Sequence, residues 1–175
     1  MRAIRCCVLA GLAALLCTAG RPAAPAQEKA AGVTVQVVKY DGLADAVRGL
    51  RGKVVLVDFW GIDCGPCKKA FPHVMQMQRK YGADGLAVVS VAIKLDDDSP
   101  LDRERGRVLK FLQDQGATTT NLLLDEKADV WQGRLRFDAI PAVYVFNRQG
   151  KWYQFKDEFS YDDVEKLVAD LVKTK

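Results

Sequence analysis

The residues of this 175-residue chain with the clearest chemical potential are Cys64 and Cys67, in the run Cys64-Gly65-Pro66-Cys67 that follows the apolar stretch Val54 to Phe59. A cysteine at the start of a helix faces unpaired backbone N–H groups and the positive end of the aligned peptide dipoles, and both favour thiolate over thiol. Cys64 is therefore the candidate nucleophile. Side chains three residues apart on a helix have β-carbons about 5–6 Å from each other, close enough for modest local adjustment to close a disulfide. Cys67, one turn inside, is the candidate resolving thiol. Pro66 suits the first helical turn, where its missing N–H removes nothing, and Gly65 lets a partner chain approach the sulfurs. Both are candidate substrate-contacting positions.

Two blander readings of the pair are available. Half of a zinc site needs further ligands, and besides the pair the segment from Gln27 onward offers one histidine, His73, six residues beyond Cys67 and so on a different helix face. No metal is expected. A purely structural disulfide is the second reading, although closing so short a loop stabilises less than closing a long one.

The elements that must position the pair are legible as alternating apolar runs. Val33 to Val38 alternates with period two and reads as an edge strand, and Leu43 to Leu50 as a short helical turn. Val54 to Phe59 is apolar on both faces, as a central strand is. Ala70, Phe71, Val74, Met77 and Tyr81 recur at helical spacing from Cys64 to Tyr81, with Pro72 expected to kink that helix. Leu86 to Ile93 is a second buried strand. After the polar stretch Lys94 to Arg105, a helix carrying Val108 and Leu112 is expected to end at Gly116. Leu122 to Leu124 reads as a brief strand, Glu126 to Leu135 as a helix, and Ala142 to Phe146 with Lys151 to Phe155 as a hairpin. Ser160 is placed to cap a last helix striped by Val164, Leu167, Val168 and Leu171. The class expected is α/β with a mixed sheet.

Residues 1–26 have the layout of a secretory signal peptide: basic Met1 to Arg5, an apolar run from Cys6 to Leu16, then small residues and prolines up to Ala24-Pro25-Ala26. The apolar run is shorter than the ~20 residues that span a bilayer. Cleavage near Gln27 leaves residues 27–175 as one domain, exported and periplasmic. Lipid attachment at Cys17, or an uncleaved signal, would anchor it to the membrane. The mature chain keeps two cysteines and has 23 cationic against 22 acidic residues, a net charge of +1. No basic nucleic-acid footprint survives. In an oxidising compartment, two cysteines alone in a chain pair with each other or act on partners.

Val57-Asp58-Phe59-Trp60, Cys64 to Lys68 and Pro72 together resemble thioredoxin, and the signal peptide and longer middle resemble its exported TlpA-like relatives. The similarity runs from about Gly52 to the C-terminus. It implies a thioredoxin fold with an N-terminal strand extension and an insertion in the middle. It also implies that Asp58 is the buried carboxylate beneath the dithiol that helps move the proton of Cys67; an acid inside an apolar strand has its pKa raised, which suits that task. By the same resemblance Ile140 and Pro141 form a cis-proline loop facing the dithiol, where an extended substrate can pair with exposed backbone. Trp60 is placed with Gly65, Pro66, Ile140 and Pro141 at the substrate-binding surface, and Lys94 is a candidate partner of Asp58. The chain departs from the family in placing Asp63, in place of tryptophan, before the first cysteine; a carboxylate there opposes the Cys64 thiolate.

The activity implied is that of a thiol-disulfide oxidoreductase, a protein-disulfide reductase of the cell envelope that works without a cofactor, as a monomer. Its partners would be protein disulfides, with apocytochrome c one candidate client, and a membrane thiol-disulfide electron donor. Two rivals stay open. A thiol peroxidase of the peroxiredoxin type shares the fold but uses a threonine three residues before its reactive cysteine, where Gly61 stands. A copper-binding or delivery module would use the thiols as soft ligands with a third ligand far along the chain.

Overall fold

The computed structural model describes residues 32–174. The signal-peptide expectation and Cys17 fall on residues outside that range. The described chain orders as β1 (Gln36–Val38), α1 (Tyr40–Arg48), β2 (Val54–Trp60), α2 (Gly65–Tyr81), β3 (Leu86–Ile93), α3 (Leu101–Asp114), β4 (Thr120–Leu124), α4 (Ala128–Leu135), β5 (Ala142–Phe146), β6 (Trp152–Phe155) and α5 (Tyr161–Lys173).

The strands form one sheet in the order β1-β4-β3-β2-β5-β6. β1, β4, β3 and β2 run parallel, whereas β5 is antiparallel to β2 and forms a hairpin with β6. β2 is hydrogen-bonded on both sides, and each of its residues is buried. That is why its sequence is a continuous apolar run interrupted by the acid that matters, Asp58.

Side-chain alternation along β2 divides the core in two. Val54, Leu56 and Trp60 face the layer containing Phe71 and Val74 of α2, Val108 and Leu112 of α3, and Val164 and Val168 of α5. Val55, Val57 and Phe59 face the opposite layer, with Leu43 of α1 and Trp131 and Leu135 of α4. By parity Asp58 belongs to the first layer, the one that holds Cys67.

Most expected elements are present, with informative shifts. β1 is the edge strand but is regular only over Gln36–Val38, although Val33 and Val35 before it are buried. α2 runs on from Pro72 to Tyr81 as one helix. α3 starts at Leu101, inside the stretch read as polar; Glu104 occupies a buried position on its inner face and breaks the apolar stripe that would mark the helix in the sequence. Ser160 caps α5 as expected, its Oγ accepting from the Asp162 N–H at 3.1 Å. Ser160→Ala is expected to cost about 1 kcal/mol of stability, read as a lower urea midpoint at unchanged slope. No helix of the described residues is long and apolar enough to cross a membrane.

Candidate active site

Cys64 and Cys67 sit where a buried parallel strand hands over to a helix, the position at which unpaired amides accumulate. They form a disulfide with α-carbons 5.3 Å apart. Cys64 is the N-cap of α2, and its Sγ accepts from the Cys67 N–H at 3.2 Å. A sulfur in the capping position is aimed at the free amides of the first turn, which stabilise it as an anion once the disulfide opens. Burial separates the two sulfurs: Cys64 is half-buried, whereas Cys67 is 1% exposed and packed in the core. Cys64 is thus the more accessible sulfur of the pair.

The Ile140–Pro141 peptide bond is cis, and the Ile140 carbonyl oxygen lies 3.9 Å from Cys64 Sγ. The loop before β5 thus faces the dithiol. Gly65 and Pro66 are exposed beside it.

Two apolar side chains complete this rim: Ile140, already expected in the cis-proline loop, and Leu95, which nothing in its sequence neighbourhood marks for it. A β-carbon at Gly61 would stand 2.9 Å from Ile140 Cδ1 and 3.2 Å from Leu95 Cδ1, so the absence of a side chain at Gly61 is what lets both crowd against the loop. Leu95 is 50% exposed there. Exposed apolar surface around a half-buried sulfur can accept an extended peptide.

Asp58 is 1% exposed. Burial pushes its carboxyl up from the ordinary range to about 7, against the opposing pull of the Tyr161 hydroxyl, which donates to Oδ1 at 2.8 Å. Tyr161 is the first residue of α5, directly after the Ser160 cap. The same burial, with the neighbouring Asp58, drives the Tyr161 hydroxyl far above its usual value, so it stays a donor. Tyr161→Phe removes a bond to the charged form. Asp58 is then expected to titrate above 7, with the pH profile of any step it assists moving alkaline in stopped-flow measurements.

Lys94 does not reach Asp58. Asp58 is in register with Ser90, leaving Lys94 four residues further along and past the end of β3. Its Nζ donates to the carbonyls of Asp97 and Ser99 at 2.8 and 3.2 Å, holding the loop before α3. Trp60 is also displaced from its expected role. It is 0% exposed, its ring packs on Phe71 and Phe111, and its Nε1 donates to Ser90 Oγ at 2.8 Å. The alternation that buries Asp58 buries Trp60 two residues on, so Trp60 supports the site from the core and cannot touch a docking chain.

His73 is part of a surface cluster, its Nε2 2.6 Å from Glu165 Oε2; Lys80 and Tyr81 donate to the other oxygen at 2.8 and 3.0 Å. These bonds hold the Glu165 carboxyl down at about 2 and clamp α2 to α5. Among the described residues there is no group of three or more metal-ligating side chains.

The AhpC/TSA family matches residues 26–153. The chain belongs to that family. Among similar members, DipZ of Mycobacterium tuberculosis is 33% identical over 128 residues, covering 72% of this chain and 18% of DipZ. The thiol-disulfide oxidoreductase ResA of Bacillus subtilis is 26% identical over 102 residues, covering 58% of this chain and 51% of ResA. The match thus spans about half or less of these relatives. A crystal structure from Chlorobium tepidum, described as a thiol:disulfide interchange protein DsbE, superposes with a TM-score of 0.59 at 27% identity, covering 72% of this chain and 84% of that one. The fold is the thioredoxin fold, with β1 as the N-terminal extension and α3 in the longer middle.

Proposed function

We propose that this family member is a thiol-disulfide oxidoreductase that reduces protein disulfides in the cell envelope. One observation carries the reading: a half-buried sulfur caps a helix and faces the cis-proline loop, while its disulfide partner is buried behind it.

In the reduced protein the Cys64 thiolate attacks one sulfur of a substrate disulfide, forming a mixed disulfide and expelling the other substrate sulfur as thiolate. Cys67 then loses its proton with help from Asp58 and attacks Cys64 Sγ. The mixed disulfide breaks, the second substrate thiol leaves, and the Cys64–Cys67 disulfide is re-formed. Two electrons pass to the substrate. They must be replaced by an external dithiol, for which a membrane thiol-disulfide donor is the proposed source, and apocytochrome c is a proposed client. The similarity to ResA and to the Chlorobium tepidum interchange protein supports the chemistry, and the signal-peptide layout of residues 1–26 supports the envelope setting.

Equilibration with glutathione buffers tests the direction of electron flow. A potential near or below about −200 mV supports the reductase, and one near about −120 mV would make the protein an oxidant instead. Hydrogen-peroxide turnover faster than insulin-disulfide reduction would favour the peroxidase reading, for which Gly61 supplies no hydroxyl.

A further inference from the structure

The residue before the nucleophile is an acid, and left alone it would compete with the thiolate for the same positive helix start. Asp63 is not left alone. Arg107 of α3 donates through Nη1 to Asp63 Oδ2 at 3.0 Å and through Nη2 to Oδ1, a two-pronged pair. The same Nη1 is 3.3 Å from Glu104 Oε2, one turn earlier on α3. Glu104 is buried, so the guanidinium is anchored from beneath before it reaches across to the loop.

Surface ion pairs contribute little to stability. Here the relevant quantity is the charge beside a titrating sulfur, where a matched carboxylate and an unmatched one act very differently. A planar fork gripping both carboxylate oxygens also fixes the loop's orientation. The charged groups around this loop are Asp63 itself, Lys68 of α2, which adds to the pull on Asp63, and Arg107 and Glu104 of α3. Asp58 of β2 lies buried behind, and the loop before β5 presents the Ile140 carbonyl.

We propose that Arg107 is a positioning residue for the dithiol: reaching from α3, it offsets the Asp63 carboxylate and so keeps Cys64 available as thiolate near neutral pH. The inference rests on Cys64 being the nucleophile. It gives the helix of the longer middle a chemical role, that of tuning the sulfur.

The test is the pH dependence of iodoacetamide labelling of the reduced protein, with the labelled cysteine identified by peptide mapping. Arg107→Gln is expected to shift the midpoint upward, leaving about three- to tenfold less thiolate at pH 7. Disulfide-reduction rates fall less than that, since a more basic thiolate is the better nucleophile. Asp63→Asn should shift the midpoint the other way, and the double variant should return close to the parent. Arg107→Lys, which keeps the charge and loses the fork, should stay near the parent, and 1 M salt should shrink the Arg107→Gln effect. An unchanged midpoint in Arg107→Gln, or an Arg107→Gln shift that Asp63→Asn does not relieve, overturns the proposal. First labelling at Cys67 in the parent overturns instead the nucleophile assignment beneath it.

Discussion

Cys64→Ser is expected to lose turnover of insulin disulfides by about a thousandfold or more, because a serine oxygen supplies neither a thiolate nor an S–S bond. Cys67→Ser is expected to behave differently. Its first step survives, since the capping sulfur and its amide environment are untouched, but nothing remains to attack the mixed disulfide. A fast stoichiometric phase followed by a stall is therefore expected in single-turnover experiments. The expected asymmetry follows from exposure: Cys64 is half-buried and open to an approaching chain, whereas Cys67 is buried behind it. Equal residual activity in the two variants would be incompatible with that division of labour.

Asp58→Asn is expected to have the largest effect on stability, and in the favourable direction. The folded carboxyl titrates at about 7 and the unfolded one near 3.8. Between those values the native state holds a proton that the unfolded state has lost. The stabilisation is thus complete below about pH 4 and is lost as pH rises through 7, an amount on the order of 4 kcal/mol. The amide that replaces the carboxyl has nothing to ionise, so the variant should be more stable than the parent by a few kcal/mol at pH 8 and nearly equal to it at pH 4. Urea unfolding across that range measures both. The functional cost appears elsewhere: with no carboxylate to take its proton, Cys67 should resolve mixed disulfides more slowly at neutral pH, with the attack by Cys64 little changed. Parallel stability profiles for parent and variant between pH 4 and 8 would contradict the buried, proton-holding Asp58.

The dithiol is readable from sequence because every feature it needs is local. A strand, a turn, a capping sulfur and a proline in the first turn all fall within Val54 to Cys67. β3, interrupted only by Ser90, and β5 are equally plain as apolar runs. What the sequence hides lies in contacts between distant segments. Tyr161, 103 residues from Asp58, carries no mark of its role in its own neighbourhood. Analogy of register puts Lys94 beside Asp58, and the observed pairing of Asp58 with Ser90 moves it past the strand end. Trp60 stands beside the active-site loop in sequence but shares the inward parity of Asp58. Asp63 reads as an isolated charge because its partner Arg107 lies 44 residues on, in a helix whose start is masked by the buried Glu104.

The most direct test is to trap the covalent intermediate and ask which sulfur of this chain it contains. After reaction of reduced Cys67→Ser with a disulfide peptide, acid quenching and mapping should find one peptide per chain, attached at Cys64. Reduced Cys64→Ser, treated identically, should remain almost unmodified. Rapid attachment at Cys67 in that second variant would mean that the buried sulfur meets substrate after all, and the capped, half-exposed sulfur would lose its claim to the attack.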